Sequence, residues 1–522
     1  MKKYFTAFLL FYTTSVLFSQ PGQLDETFNS TGKVTTHIAN YNVDNSGLLI
    51  QEDGKILVCG TGVTASNAKD FVIARYTSNG ILDSSFNQSG IRVIDFFGKL
   101  DYCYAMVLQS DGKILLTGIT TTLSNARKTA VVRLLEDGSF DDTFGTNGIS
   151  INDPDNKTEN PIAIMYQNDG KIIVAGSFSV NAAPSICALF KYNEDGTPDQ
   201  SFGDHGLATA TVPDSYNPAF GIIQHDGKII TGGFRLGNNT EIIMLRFSPQ
   251  GTIDSTFGSN GIVNTKYANE DHFAYSVVLQ PGHKILVVDG ITFAGKRNFG
   301  MLRYNENGAL DSTFGTYGRV ITAFSSGSNT AHAISIQDDQ KILLAGFLGT
   351  TPQHNFALAR YTSDGILDAG FGNGGKIITD FGNDDLAFRM AVQADKKIVL
   401  AGHSIDNAGN DDFAIARYLS GLEIVGTSDP VSNICNMMLY PNPILKEAIL
   451  KFNLSEDQSM FIRLYDLSGQ LIQSFGEGMH RSKGENQEKL IFNPSILPGN
   501  YILNVETRNS IYGIPVILSS QY

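Results

Sequence analysis

One sequence unit recurs seven times along the chain, and this repetition limits the possible folds more than any other feature. Its first marker is Gln-x-Asp-Gly-Lys or a relaxed version of it, with the glutamine at Gln51, Gln109, Gln167, Gln224, Gln280, Gln337 and Gln393. Its second marker is close to Leu-Asp-x-x-Phe, with the phenylalanine at Phe28, Phe86, Phe144, Phe202, Phe257, Phe314 and Phe371. Successive copies of each marker are 55 to 58 residues apart. A fixed period of this length is typical of propellers and solenoids.

The phase of the repeats predicts a closed ring. A third marker is a basic residue that in most copies precedes an aromatic one, and its last copy is Arg417. The repeat region begins with the second half of a unit, at Asp25–Phe28, and ends with the first half of a unit, at Arg417. Together the two halves make one complete unit. An open solenoid would need atypical capping repeats instead. We therefore predict an all-β fold with a seven-bladed β-propeller over residues 20–423.

Residues 86–144 illustrate the content of one unit. Short β-branched or apolar runs at 91–95, 104–109, 113–117 and 130–135 are predicted strands. The Asp-Gly pair between the second and third runs favours a tight hairpin turn. Four strands per unit is the size of a propeller blade.

A basic residue precedes the aspartate of the second marker by eight positions in six units. Such a constellation resembles catalytic machinery, but a feature present in every blade is more often architecture. We interpret the pairs, and the marker phenylalanines, as structural. The pairs that we name are Arg75 with Asp83, Arg133 with Asp141, Arg246 with Asp254, Arg303 with Asp311, Arg360 with Asp368, and, through ring closure, Arg417 with Asp25.

One face of the propeller is the better candidate for binding. Loops before the second strand and after the third strand of each unit vary, and scaffolds usually place function on variable loops. Each loop before the second strand carries one polar candidate: Asp44, Asp101, Glu159, Asp214, Asp271, Asn329 and Asp385. Asp and Asn are also ordinary turn formers. An acidic ring could hold Ca²⁺, but no other cofactor, metal site or catalytic residue is indicated.

The net charge of the chain and its amino-terminal sequence indicate which partners it can bind and where in or outside the cell it acts. The formal net charge is −14, which disfavours nucleic acid as a partner. Residues 1–19 combine Lys2 and Lys3 with a short apolar stretch, the pattern of a secretory signal peptide, and we expect cleavage before Gln20. No later segment is long and apolar enough to predict a transmembrane helix.

The repeat ends near Tyr418, and a different module follows. Residues 424–433 have linker composition, and residues 434–522 alternate as six short strands, which predicts a small immunoglobulin-like β-sandwich. Three spaced motifs lie in this module: Leu439-Tyr440-Pro441-Asn442-Pro443, Leu464-Tyr465-Asp466-Leu467-Ser468-Gly469 and Leu497-Pro498-Gly499-Asn500-Tyr501.

These motifs resemble the type A C-terminal sorting domain of the type IX (Por) secretion system. The upstream units are similar to the delta-60 repeat family, through Asp-Gly-Lys-Ile-Leu and Arg-Tyr-x-x-x-Gly-x-Leu-Asp-x-x-Phe. The first resemblance implies Sec export, passage through the type IX machinery, and display on the cell surface or release. The sorting residues it implies are Tyr440, Pro441, Asn442, Pro443, Asp466, Gly469, Gly499 and Tyr501.

Three functions stay open from the sequence. The leading hypothesis is a secreted or surface-displayed, non-catalytic binding module for a protein or glycan. The second is a secreted polysaccharide lyase or hydrolase, which needs a unit that breaks the repeat. The clearest departures are Asp289, where other units have Gly, and His283, so this pair is the best enzymatic candidate. The third is a purely structural surface protein.

Overall fold

The computed structural model describes residues 20–152, 158–179, 186–212, 215–293, 295–324, 327–406, 408–422, 434–441, 444–454, 456–466, 470–507 and 511–519. The chain separates into two compact units, Met1–Leu422 and Glu423–Tyr522. All regular elements of the described residues are β-strands, so none of these residues forms a helix that could span a membrane.

Seven antiparallel sheets form the first unit; in six of them the chain runs from the first to the fourth strand, and in the seventh the fourth strand comes from the amino-terminal end of the chain. The first strands are β3 (Gly47–Ile50), β7 (Tyr102–Leu108), β11 (Thr158–Tyr166), β15 (Tyr216–Ile223), β19 (Ala274–Gln280), β23 (Ser328–Ile336) and β27 (Asp385–Val392). A short strand, β2 (Tyr41–Val43), pairs with the same neighbour as β3.

The second, third and fourth strands of each sheet follow the first strand in that order. The second strands are β4 (Ile56–Thr64), β8 (Ile114–Thr121), β12 (Ile172–Ser179), β16 (Ile229–Arg235), β20 (Lys284–Phe293), β24 (Ile342–Thr350) and β28 (Ile398–Ile405). The third strands are β5 (Lys69–Tyr76), β9 (Arg127–Leu134), β13 (Ile186–Tyr192), β17 (Glu241–Phe247), β21 (Lys296–Tyr304), β25 (Gln353–Tyr361) and β29 (Asp411–Tyr418). The fourth strands are β6 (Ile91–Ile94), β10 (Ile149–Asn152), β14 (Leu207–Thr211), β18 (Ile262–Thr265), β22 (Arg319–Thr322), β26 (Lys376–Thr379) and β1 (Lys33–Thr36).

The first strands surround a common axis. Each contacts the first strand of the next sheet, from β3 through β27 and back to β3, in an unbroken ring. The second and third strands are almost wholly buried because they are packed between neighbouring blades. The predicted seven-bladed β-propeller is therefore confirmed.

One detail of the sequence interpretation is wrong. We grouped the strand near residues 91–95 with the three strands that follow it, but Ile91–Ile94 pairs with Phe71–Ala74 of the preceding sheet. The turn that contains Asp83 and Phe86 folds the chain back along β5, so this strand is the outer edge of the earlier blade.

The amino-terminal strand closes the ring. β1 pairs with β29, with Lys33 opposite Ala416 and Thr36 opposite Phe413. Upstream of β1, the Asp25 amide donates to the carbonyl oxygen of Arg417 at 2.9 Å. The chain ends thus complete one blade, as the phase of the repeats predicted.

The repeated Arg–Asp pairs join each blade to the next. In the first blade, Arg75 Nε donates to Asp83 Oδ2 at 2.9 Å and its Nη1 donates to the carbonyl oxygen of Glu136 in the following blade. The guanidinium also lies 4.8 Å from the centroid of the buried Phe86 ring. The Nε–Oδ2 distance is 2.8 Å in the pairs Arg133–Asp141, Arg246–Asp254, Arg303–Asp311 and Arg360–Asp368.

The second unit is a two-sheet sandwich. Its strands are β30 (Ile434–Tyr440), β31 (Glu447–Leu454), β32 (Gln458–Asp466), β33 (Leu471–Arg481), β34 (Gly484–Ile491), β35 (Gly499–Thr507) and β36 (Ile511–Leu518). The sheets have the orders β30-β31-β34 and β33-β32-β35-β36. Leu450, Ile462 and Leu503 lie in one core between them. The sandwich is confirmed, with a strand β30 that the sequence pattern did not predict.

Candidate functional site

The first strand of six blades has a β-bulge near its start. In β7, Cys103 pairs with Gly118 and Ala105 with Thr117, so Tyr104 has no partner opposite it. The same break falls on the residues Ile162, Ala219, Tyr275, His332 and Phe388. In the remaining blade, Ser46 occupies the equivalent place between β2 and β3. Every one of these seven residues lies five positions before a marker glutamine.

The bulge explains one glycine of the repeat. A Cβ atom on Gly118 would lie 1.8 Å from the carbonyl oxygen of Tyr102, and one on Gly402 would lie 1.8 Å from that of Leu386. In these two blades the bulged backbone therefore comes too close to the second strand for a side chain at this position. Six units have glycine here, and the seventh has Asp289.

The bulged residues border a cavity of about 610 Å³ on the propeller axis. Because the first strands begin at the face with the variable loops, the cavity lies at that end of the axis. Its lining comprises Ser46, Tyr104, Ile162, Ala219, Tyr275, His332 and Phe388 from the bulges, together with Asp44, Asn45, Cys103, Asn217, Pro218, Phe234, Arg389 and His403. A single repeat position thus supplies a hydroxyl, two phenols, an imidazole and three apolar groups to one space.

One side of the cavity is aromatic. The His332 ring centroid lies 4.3 Å from that of Tyr275 and 5.0 Å from that of Phe388. Burial, with the charges of Arg389 and Arg297, lowers the pKa of His332 to about 3. The imidazole is therefore neutral at physiological pH and acts as a flat, polar ring beside two aromatic ones.

The other side of the cavity is polar and fixed by backbone groups. Arg389 Nε donates to the carbonyl oxygen of Ser46 at 2.7 Å, and Nη1 donates to that of Phe388 at 3.0 Å. Asp44 Oδ1 accepts the Thr61 amide at 2.8 Å. A cation and a carboxylate are consequently held at defined positions in the same cavity.

The seven loop residues predicted as binding candidates have different environments in the structure. Among those whose side chains are described, Asp44 alone lines the axial cavity. Asp101, Asn329 and Asp385 are fully buried. Asp271 Oδ1 accepts the Thr240 amide at 2.7 Å. Two residues lie beyond this comparison: the Glu159 side chain is not among those described, and Asp214 is outside the described residues.

Two of these buried acids stabilise their own loops. Asp101 Oδ2 accepts the Phe96 amide at 3.1 Å, and Asp385 Oδ2 accepts the Phe381 amide at 2.6 Å. Ser404 also donates to Asp385 Oδ1 at 2.6 Å. These contacts close the loop in the way an Asx turn does. Ligand binding by the seven loop residues stays a prediction.

Calcium binding also stays a prediction. Within the described part of the chain, one group of three acids brings carboxylate oxygens within 4.8 Å of one another: Asp70, Asp95 and Asp101. Asp70 accepts the Tyr41 hydroxyl at 2.7 Å. The group lies at the connection between two consecutive blades and includes one of the seven loop candidates, so it is not the axial ring that the sequence suggested.

Asp289 has a different partner from the one considered in the sequence. Its Oδ2 lies 2.5 Å from His272 Nδ1, and His272 Nε2 lies 3.1 Å from Glu270 Oε2. The His283 ring instead lies 4.3 Å from the ring of His225. Both His272 and Asp289 are 0% exposed, so this acid–imidazole–acid group has no surface for a substrate.

The sequence contained a signal for the axial site that we did not use. The marker glutamines and phenylalanines keep one residue type in all seven units, whereas the position five before each glutamine varies completely. Comparing variability position by position, rather than loop by loop, would have found these residues.

The second unit brings two of its three motifs together. Asp466 of β32 pairs with Tyr501 of β35, and the Tyr501 hydroxyl donates to the Leu497 carbonyl oxygen at 2.7 Å. Tyr440 lies at the end of β30 with 40% of its surface exposed. Gly499 is the first residue of β35. The other sorting positions, Asn442, Pro443 and Gly469, are outside the described residues, and Pro441 is exposed.

Comparison with protein families identifies both units. Residues 438–517 match the secretion system C-terminal sorting domain. No curated protein matches the chain. Seven stretches match the family described as a domain of unknown function (DUF5122) β-propeller: residues 51–86, 109–144, 167–202, 224–257, 284–314, 337–371 and 393–421.

Solved structures with a similar fold include three enzymes. A fungal alcohol oxidase of the AA5 family, in complex with copper, is 14% identical, with a TM-score of 0.41 and coverage of 93% of this chain and 98% of its own. A PL25 ulvan lyase is 11% identical, with a TM-score of 0.40 and coverage of 75% and 96%. The polysaccharide lyase Uly1 is 10% identical, with a TM-score of 0.43 and coverage of 73% and 90%. These similarities carry no argument about function.

Proposed function

The chain belongs to the DUF5122 β-propeller family and ends in a secretion system C-terminal sorting domain, and from this premise we propose that it is an exported binding protein whose ligand enters the axial cavity. The sorting domain sends the protein through the type IX machinery to the cell surface or the medium. The propeller is then the cargo that acts outside the cell. We propose that it binds rather than converts its ligand.

The asymmetry of the bulge position carries this proposal. Architecture alone keeps one residue in every blade, as it does at the marker phenylalanines. The seven bulged residues face one another across the axis, and each side chain except the two tyrosines is of a different type. A symmetric scaffold that brings dissimilar groups to a single space is typical of a recognition site.

The size of the cavity favours a compact ligand. A volume of about 610 Å³ lies within the range of small-molecule sites, roughly 300–1,000 Å³. A single glycan segment or a protruding peptide side chain fits this space, whereas a flat protein surface would use the loops around it. The loops with Asp271 and Asn329 surround the same end of the axis and are candidates for secondary contacts.

The test uses the full-length protein on arrays of glycans and proteins. We expect one ligand class to bind, and Phe388→Ala or Tyr275→Ala to weaken that binding at least tenfold, because each removes an aromatic wall of the cavity. Tyr317→Ser is the control: this tyrosine is 82% exposed, lies outside the cavity and should not affect binding.

Three results would contradict the proposal. Undiminished binding by both cavity variants would place the ligand elsewhere on the propeller. Steady appearance of cleaved products from the bound ligand, lost in the cavity variants, would identify a secreted hydrolase or lyase instead. A chain that binds nothing on either array would favour a purely structural role.

A further inference from the structure

Arg389 is a cation that makes no close ion pair with a described carboxylate. Two of its nitrogens donate to the carbonyl oxygens of Ser46 and Phe388, and no described carboxylate lies within 4.0 Å of it. Burial lowers the pKa of Arg389, and the nearby charge of Asp44 opposes this shift without cancelling it. A partly buried charge is costly unless it is paired. The carbonyl contacts fix the guanidinium, and Nη2 has no acceptor among the described residues.

Two more polar atoms at the cavity lack partners. Asn45 is 6% exposed, and its Nδ2 donates to the carbonyl oxygens of Gly47 at 3.0 Å and Cys59 at 3.4 Å. This arrangement leaves the Asn45 Oδ1 buried without a donor, and His403 Nδ1 is likewise unpaired. Buried polar atoms are normally satisfied, so their presence in a cavity lining indicates hydrogen bonds from a ligand or solvent.

The aromatic part of the lining suits a ring with an apolar face. His332 lies between Tyr275 and Phe388, and Phe347 follows with its centroid 5.3 Å from His332. Such rings bury a large apolar area while their edges keep polar contacts. A pyranose has this dual character, since its C–H groups cover one face and its hydroxyls surround the edge.

The charge balance excludes more highly charged ligands. Arg389 is the single cation of the lining, Asp44 is its single carboxylate, and His332 is neutral. The chain has a net charge of −14, which repels polyphosphates and nucleic acids. One guanidinium matches one carboxylate, and the two planar groups can share two hydrogen bonds.

We propose that the axial cavity binds an acidic saccharide, with the carboxylate of a uronic acid on Arg389, the sugar ring against His332 and Phe388, and hydroxyls on Asn45 and His403. This assignment rests on the proposed function and names its ligand class. The cavity binds one charged sugar residue, and the neighbouring sugar residues of the saccharide extend toward the variable loops.

The experiment compares matched saccharides by isothermal titration calorimetry on the full-length protein. The probes are a uronic-acid trisaccharide, the same trisaccharide with its carboxyl groups reduced to alcohols, and that reduced trisaccharide with a sulfate ester added. We expect the uronate to bind at least tenfold more tightly than the other two. Arg389→Gln should remove that difference while the reduced saccharide still binds.

Matched variants separate charge from position. Lys99→Gln makes the same charge change at an exposed residue outside the cavity lining and should leave the preference unchanged. If Arg389→Gln lowers the melting temperature enough to prevent folding, Arg389→Lys keeps the charge but not the planar pair, and we expect it to fold and to lose most of the preference.

The remaining outcomes overturn the assignment. Equal affinity for the uronate and its reduced form would refute an acid subsite while leaving a binding function intact. Equal affinity for the sulfated sugar would refute the specificity for a carboxylate. Loss of the preference in Lys99→Gln would show a general charge effect. No saccharide binding at all would refute this ligand class, and the protein array would then decide the proposed function separately.

Discussion

Arg417 Nη2 lies 2.7 Å from Asp25 Oδ2, and this ion pair joins the last repeat marker of the chain to the first. Both side chains are nearly inaccessible, at 1% and 4% exposure. Lys397 Nζ reaches the same oxygen at 3.1 Å. Burial alone would raise the pKa of Asp25, but the Thr27 hydrogen bond and the charges of Arg417 and Lys397 outweigh it and lower the pKa.

We expect Asp25→Asn to destabilise the propeller by about 3 kcal/mol, because it leaves Arg417 buried without its partner. The carboxylate contribution should be present above pH 3.8 and lost as the pH falls through the lower pKa of the folded state. Urea denaturation at pH 7 and at pH 3 measures both effects. Glu26→Gln is the control, since Glu26 is exposed. Equal stability of the two variants at pH 7 would show that the closing pair contributes nothing.

The number of blades and the closure of the ring could be predicted because each sequence repeat corresponds to one blade. Every marker phenylalanine is buried in the same way in its blade, so period and phase determined blade number and ring closure. Strand β6 was assigned to the wrong blade because periodicity fixes the order of strands but not which neighbour each one pairs with.

The candidate site was predicted less well, for a physical reason. Asp101 and Asp385 are polar residues on variable loops, and polarity alone does not distinguish a ligand contact from a carboxylate that holds its own loop together. The axial residues Tyr275, His332 and Phe388 sit in strands whose alternation predicts a buried side chain. These side chains reach the cavity because a bulge changes their direction, and the alternation of the sequence does not show this bulge.

The bulge glycine provides a second prediction. Gly118→Ala should lower stability by about 2–3 kcal/mol, because the added Cβ would lie 1.8 Å from the Tyr102 carbonyl oxygen and force the backbone apart. Gly237→Ala is the control: its added Cβ would lie 3.4 Å from the nearest atom, an ordinary contact. Chemical denaturation of both variants measures the difference. Similar midpoints for the two variants would mean that the first strand is free to shift.

The buried His272 group provides a pH-dependent prediction. Burial would lower the pKa of His272, but the hydrogen bonds and charges of Asp289 and Glu270 outweigh it and raise the pKa above the ordinary 6.5. The pKa of Asp289 is also raised, but here burial is the cause, and His272 has the opposing effect. Arg319 and Tyr267 complete the surroundings: Arg319 Nη1 lies 2.6 Å from Glu270 Oε2, and the Tyr267 ring lies 4.9 Å from that of His272.

Both raised pKa values act in the same direction. The folded state binds more protons than the unfolded state, so this group stabilises the fold below pH 6.5 and loses its effect as the pH rises through the folded pKa of His272. We expect the melting temperature to fall over this range in the wild type and to change less in Asp289→Gly, which restores the glycine of the other six units. The reverse pH trend, or an unchanged trend in Asp289→Gly, would contradict this account.

The sorting unit should be dispensable for folding but not for delivery. Its buried core contains only its own residues, among them Leu450, Phe452 and Leu503, so deleting residues 434–522 removes no core residue of the propeller. We expect the truncated chain to fold, to keep the melting transition of the propeller, and to accumulate in the periplasm. Fractionation with an antibody against the propeller measures its location, and a Tyr317→Ser full-length chain is the delivery control. Surface display of the truncated chain at the level of this control would show that export does not depend on the carboxy-terminal domain.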